Sequence, residues 1–121
     1  MESVMWPMPV YKFARAISVA EGSNPLWCNP GDLTISLGFP NDGPQNADGV
    51  LKFVNVADGW YVLYHQCWVM LTGKSHEYAL TDTIEQVGMK YSDGDPNWAM
   101  NVANYLGVPT STTLAQLAAD T

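Results

Sequence analysis

Between Asp58 and Gly73 the chain reads Asp-Gly-Trp-Tyr-Val-Leu-Tyr-His-Gln-Cys-Trp-Val-Met-Leu-Thr-Gly, and from Trp60 to Leu71 only His65 and Gln66 are strongly polar. Asp58 can cap a helix here, and Gly73 can end it. A helix that is apolar nearly all round must be surrounded by protein. At 14 residues from Asp58 to Leu71, it is too short for the roughly 20 residues of a bilayer span. The rest of the chain is therefore expected to wrap around this segment as one domain covering residues 1–121, with Trp60 and Trp68 in its core.

The helix preceding it carries the residue of greatest chemical interest. Pro9 suits a first helical turn, and Val10, Phe13, Ala14 and Ile17 recur at i, i+3, i+4 and i+7, one face of a helix. Glu21 falls in the middle of that apolar stripe, and Gly22 follows as a stop. The last helical residue is thus a carboxylate aimed where a core side chain belongs. Desolvation and the negative end of the helix dipole both disfavour its charge. A raised pKa of this kind suits a general acid working near neutral pH.

Residues 23–32, with Pro25, Pro30 and Gly31, read as a loop. Leu33, Ile35 and Leu37 alternate with Thr34 and Ser36, which predicts a half-buried strand over 33–37. A second strand over 50–56 follows a turn-rich connection, and the two are expected to form a hairpin. Thr81 or Asp82 can cap a helix to Tyr91, with Ile84, Val87 and Tyr91 inward. Asp95 and Pro96 open another that ends at Gly107, and Thr113 with Gln116 forms a capping box for a short last helix. No repeat or linker is evident, and residues 1–8 read as an apolar arm packed on the body. The expected fold class is α+β and mostly α-helical, five helices with a small β-hairpin after the first.

Composition narrows the function. Only 14% of residues are charged, while five Trp and six Tyr are present, which suits a cleft for something neutral such as sugar. The net charge of −7 argues against nucleic acid and against an anionic membrane surface. No cofactor or metal is expected, because there is no HExxH, no Cys/His cluster and no glycine-rich phosphate loop. Cys28 and Cys67 read as two reduced thiols, a disulfide being the alternative. His65 and His76 have no partner evident in sequence and read as structural, although a relay to Glu21 stays open. The first nine residues lack the basic and apolar regions of a signal peptide.

A helix ending Ala20-Glu21-Gly22, then a loop, a small hairpin and a buried helix opened by Asp58-Gly59-Trp60, resembles the lysozyme-like superfamily of goose-type lysozymes, lytic transglycosylases and phage endolysins. Asn29-Pro30-Gly31-Asp32-Leu33 is similar to the Asn-Pro-Gly-Asn-Leu signature of many such domains, and Thr34-Ile35-Ser36-Leu37-Gly38 to their first hairpin strand. The resemblance implies a lysozyme-like fold and a muramidase that cleaves peptidoglycan glycan strands at the β-1,4 bond between N-acetylmuramic acid and N-acetylglucosamine. Glu21 would be the general acid, with Asp32 as the second carboxylate and Thr34 holding water or an acetamido group. Asn29, Tyr91 and two candidates for stacking on sugar, Trp27 and Trp98, would bind substrate. The alternatives are a lytic transglycosylase and a non-catalytic glycan-binding domain. Two departures stand out: phage-type lysozymes carry their aspartate where this chain has Trp27 to Pro30, and cell-wall hydrolases are often basic. At −7 the chain would be repelled by an anionic wall at low salt, which implies work at acidic pH or as one module of a larger assembly. The resemblance also implies cytoplasmic synthesis with action on the wall after release or export.

Overall fold

The computed structural model describes residues 6–119. Among the described residues the order is α1 (Met8–Glu21), a 3-10 turn (Pro25–Trp27), β1 (Asn41–Pro44), β2 (Leu51–Phe53), α2 (Val56–Leu71), α3 (Ile84–Tyr91), α4 (Pro96–Leu106) and α5 (Leu114–Ala119). The fold is α+β and mostly helical, with a single two-stranded antiparallel sheet among the described residues. No described helix is long and apolar enough to cross a membrane. Of the expected arm, residues 1–5 lie outside the described residues, while Trp6 packs edge-on against Tyr61 of α2 at 5.6 Å.

α2 sits in the middle, as its composition demands. Val62, Leu63, Cys67 and Met70 are fully buried, against Val10, Phe13, Ala14 and Ile17 of α1 and against β2. Its other faces are half-covered by aromatic packing, with Phe39 on Tyr61 and Tyr11 on Tyr64, so Trp60 and Trp68 border the core rather than fill it. The helix starts earlier than expected. Asn55, not Asp58, is its cap, and the Asn55 side chain accepts the Asp58 N–H at 3.0 Å. Cys28 and Cys67 are free thiols.

The expected strand over 33–37 does not form. Leu33 alone is buried, whereas Ile35 and Leu37 are each 45% exposed. Leu37 and Gly38 turn the chain at positive φ, 50° and 84°, and the Phe39 N–H closes the turn on the Ser36 carbonyl. Alternation of residue type does not make a strand where a reversal removes the pairing partner. The first strand forms instead within the turn-rich connection and pairs with β2, which lies inside the expected second strand over 50–56, with Asn41 opposite Phe53 and Pro44 opposite Leu51. The Asn46 side chain accepts the Asp48 and Val50 N–H groups and closes the hairpin loop.

The C-terminal helices begin on paired caps. α3 is capped by Thr83 rather than by Thr81 or Asp82: Gln86 N–H donates to Thr83 Oγ1, and the Thr83 N–H to Gln86 Oε1. Thr113 and Gln116 repeat the arrangement at α5. The two caps lie side by side, Ile84 N–H donating to the Thr112 carbonyl and Leu114 N–H to the Asp82 carbonyl, each at 2.9 Å. A short internal correspondence, Thr83-Ile84-Glu85-Gln86 with Thr113-Leu114-Ala115-Gln116, thus exists where none was expected. α4 opens on Asp95 and Pro96 as the sequence suggests, and it lies along α1 in the most extensive helix contact of the molecule. That contact brings Trp98 to Glu21.

Candidate active site

α1 ends at Glu21, and Gly22 takes a left-handed φ of 54° and returns its N–H to the Ser18 carbonyl. The helix therefore delivers Glu21 at a fixed height above the core. Trp98, on α4, donates its indole Nε1–H to Glu21 Oε1 at 3.0 Å. The Trp98 ring is stacked on Tyr91 at 5.0 Å, and Tyr91, the last residue of α3, donates its hydroxyl to the Gly31 carbonyl at 2.8 Å. Three helices and the loop after α1 are thus joined through Glu21, Trp98, Tyr91 and Gly31.

The Asn-Pro-Gly segment is the scaffold for the second carboxylate. The Asn29 side chain is buried, donates to the Leu33 and Leu51 carbonyls at 2.8 and 2.9 Å, and accepts the Leu33 N–H at 3.0 Å. It fastens the loop to β2. Gly31 leaves no room for a side chain, since a Cβ there would meet Leu63 Cδ1 at 2.7 Å and the Tyr91 hydroxyl at 3.1 Å. Gly59 is equally constrained, because a Cβ would lie 2.0 Å from the Cys28 carbonyl oxygen. Asp32 then adopts φ 49°, a left-handed conformation tolerated by Asp more than by most residues. Its carboxylate lines the same cavity as Glu21.

The two carboxyls perturb one another. Burial is the first cause that raises Glu21, to about 8; the Asp32 charge and the hydrogen bond to Asp32 add to it, while the Trp98 N–H opposes. Burial likewise raises Asp32, and the hydrogen bond with Glu21 lowers it. The consistent state at neutral pH is a protonated Glu21 donating to an ionised Asp32. Asp32 Oδ1 is buried and takes no hydrogen bond from an amide, hydroxyl or indole donor among the described residues. Burial also holds the Tyr91 hydroxyl well above its ordinary range, so it stays a neutral donor.

A cavity of about 420 Å³ opens over this pair, lined by Glu21, Asp32, Thr34, Asp48, Lys90 and Asp95 among others. Acidic groups dominate it. Thr34 is exposed on its wall, and Tyr91 also lines it. Glu21, Asp32, Thr34 and Tyr91 are therefore brought together. Three other expectations need correction. Asn29 is 2% exposed and holds the loop, so it has no face for substrate. Trp98 is also 2% exposed and bonds Glu21 through its indole N–H, so it has no face for stacking on sugar. Trp27 ends the 3-10 turn, partly buried, outside the cavity lining. His65 packs with Trp6 and Trp68 and is not among the residues that line the cavity.

Lys90, Asp48, Asp93 and Asp95 also belong to the wall, and no sequence motif marks them for it. For Asp95 its helix-capping bond to the Asn97 N–H was the visible signal, and that bond gives no hint of the cavity. Among the described residues no group of three or more His, Cys, Asp or Glu is arranged to hold a metal ion. Compared with family models, curated proteins and solved structures, the chain matches none.

Proposed function

We propose that this protein is a peptidoglycan-cleaving glycosidase of the lysozyme type, a muramidase acting on the β-1,4 bond between N-acetylmuramic acid and N-acetylglucosamine. The observation that carries the reading is the Glu21–Asp32 pair on a cavity wall, where burial and the Asp32 charge raise the Glu21 pKa to about 8. A carboxylic acid that keeps its proton at neutral pH beside a carboxylate that does not is the division of labour glycoside cleavage requires. A glycan entering the cavity replaces Asp32 as the acceptor of the Glu21 proton. The glycosidic oxygen takes that proton as the C–O bond breaks, and the oxocarbenium-like carbon faces the negative charge of Asp32. Trp98 keeps Glu21 at its height by the indole bond. Exposed Thr34 offers a hydroxyl to an acetamido group or a water on the same wall.

The two carboxyls perturb one another strongly, as a close pair does and as the pairs of inverting enzymes, about 6.5–9.5 Å apart, do less. This favours a retaining course. It equally favours the second reading, a lytic transglycosylase in which the muramic acid's own hydroxyl attacks and no water is needed.

Digestion of purified peptidoglycan by wild type and Glu21→Gln, with products read by mass spectrometry, tests the proposal. New reducing ends that vanish in the variant are expected. Anhydro ends would assign the transglycosylase, and absence of cleavage by wild type would overturn the enzyme reading in favour of a glycan-binding or structural domain.

A further inference from the structure

The charges of this acidic chain are unevenly spread. Residues 6–20 and 59–76 hold Lys12, Arg15 and Lys74 out of five Lys and Arg, and both histidines, but none of the 12 Asp and Glu. These stretches are most of α1 and of α2 with the turn after it, and the two helices lie against each other. Their outward sides form one continuous surface. On α1, Met8, Tyr11, Arg15 and Val19 share a stripe at i, i+3, i+7 and i+11, with Met8 58% and Val19 59% exposed. The core stripe, with Glu21, is on the other side of that helix. Tyr11 meets Tyr64 of α2 at 5.0 Å, and Tyr64 stacks on Trp60. Trp6, whose N–H donates to the Tyr11 hydroxyl, carries the surface on to Tyr61, His65 and Trp68, and Lys74 lies over the Trp68 ring at 5.7 Å. The nearest carboxylates along the α2 stretch are Asp58, which accepts from the Asn55 side chain, and Glu77, which lines a cavity together with Lys74.

Two features decide what such a surface fits. Its rings pack edge to face, Trp6 on Tyr61 at 66°, Tyr11 on Tyr64 at 71° and Phe39 on Tyr61 at 68°. Ring faces are thus engaged with one another, and stacking on a sugar is not what the surface offers. The indole N–H groups of Trp6, Trp60 and Trp68 and the hydroxyls of Tyr61 and Tyr64 make no hydrogen bond among the described residues. Rings with an apolar body and a free polar tip, flanked by Lys and Arg, are the composition that settles at the headgroup level of a bilayer. We propose that the outer face of α1 and α2 is a docking surface for an anionic phospholipid bilayer. Exposed Met8 and Val19 enter below the headgroups, and Arg15 and Lys74 meet the phosphates. The net charge of −7 opposes such contact for the chain as a whole. Salt screens charge beyond about 8–10 Å, however, so a headgroup layer on this face responds to the local cations. Docking of this kind is independent of what the Glu21 cavity cleaves.

The test is sedimentation of the whole chain with vesicles of phosphatidylcholine alone and of phosphatidylcholine mixed with phosphatidylglycerol, read beside tryptophan emission. Binding to the anionic vesicles with a blue shift is expected, weakening as salt is raised. Arg15→Gln and Lys74→Gln should each weaken it about fivefold, the worth of one cation near a charged bilayer. Met8→Ser combined with Val19→Ser should weaken it as well, while thermal unfolding stays unchanged because both side chains are exposed. Equal binding to both vesicles, or binding to the anionic ones that none of these variants alters, would overturn the assignment of this face. Binding to neither would overturn it too, and would leave the surface to a protein partner.

Discussion

At the scale of single residues, the account turns on how Glu21 keeps its proton. Its own burial raises its pKa, the Asp32 and Asp95 charges add to that, and the Trp98 N–H favours its ionised form. Trp98→Phe keeps the ring that stacks on Tyr91 but deletes the indole donor. Glu21 should then hold its proton to still higher pH, so the alkaline limb of the activity profile should move upward, with a stability cost of about 1 kcal/mol for the lost bond. A pH–rate profile of the variant beside thermal unfolding checks both, and a limb that moves downward would show that Trp98 does not bond the ionised acid. Asp32 bounds the other limb. It must be ionised to face the developing cation, and burial raises it, so activity should fall on the acid side from above the ordinary aspartate range.

At the scale of elements, the loop after α1 is what the hairpin and the core have in common. Asn29→Ala would strand the Leu33 N–H in a buried position and take the amide donor from the Leu51 carbonyl and from the Leu33 carbonyl, which keeps the Leu51 N–H. The expected loss is about 2–4 kcal/mol, measurable by denaturant unfolding; a loss within about 0.5 kcal/mol would mean that the loop is held by other contacts. Helices were legible because their signals are local: the Val10 to Ile17 stripe, the Asp95–Pro96 start, the Thr113 and Gln116 cap. The strand over 33–37 was misread for the same reason. Its alternation is local, but whether a strand forms depends on a partner, and the reversal at Leu37 and Gly38 removed it. The Asn29 amide spans 22 residues to Leu51, and Trp98 lies 77 residues from Glu21. Neither contact leaves a trace in residue spacing, so the place of Glu21 at the end of an apolar stripe is legible in sequence while its indole partner is not.

At the scale of the whole molecule, the site makes folding itself pH-dependent. Glu21 in the folded state keeps its proton to about 8, whereas its ordinary value is 4.5. Between these the folded chain binds more protons than the unfolded one, so stability should decline as pH rises from about 4.5 to about 8. Glu21→Gln removes this slope. Relative to wild type the variant should gain on the order of 1–3 kcal/mol at pH 9, less than full conversion of the shift because the group keeps some contact with water. Denaturant unfolding of both proteins between pH 5 and about 9 reads the difference, and parallel curves would contradict it. The central claim, that this carboxyl is a proton donor at neutral pH because it is half-buried against Asp32, is tested most directly by following the Glu21 side-chain carbon by NMR through a pH titration, in wild type and in Asp32→Asn. A midpoint of about 8 is expected in wild type and a lower one once the Asp32 charge is gone. A wild-type midpoint near the ordinary 4.5 would contradict it.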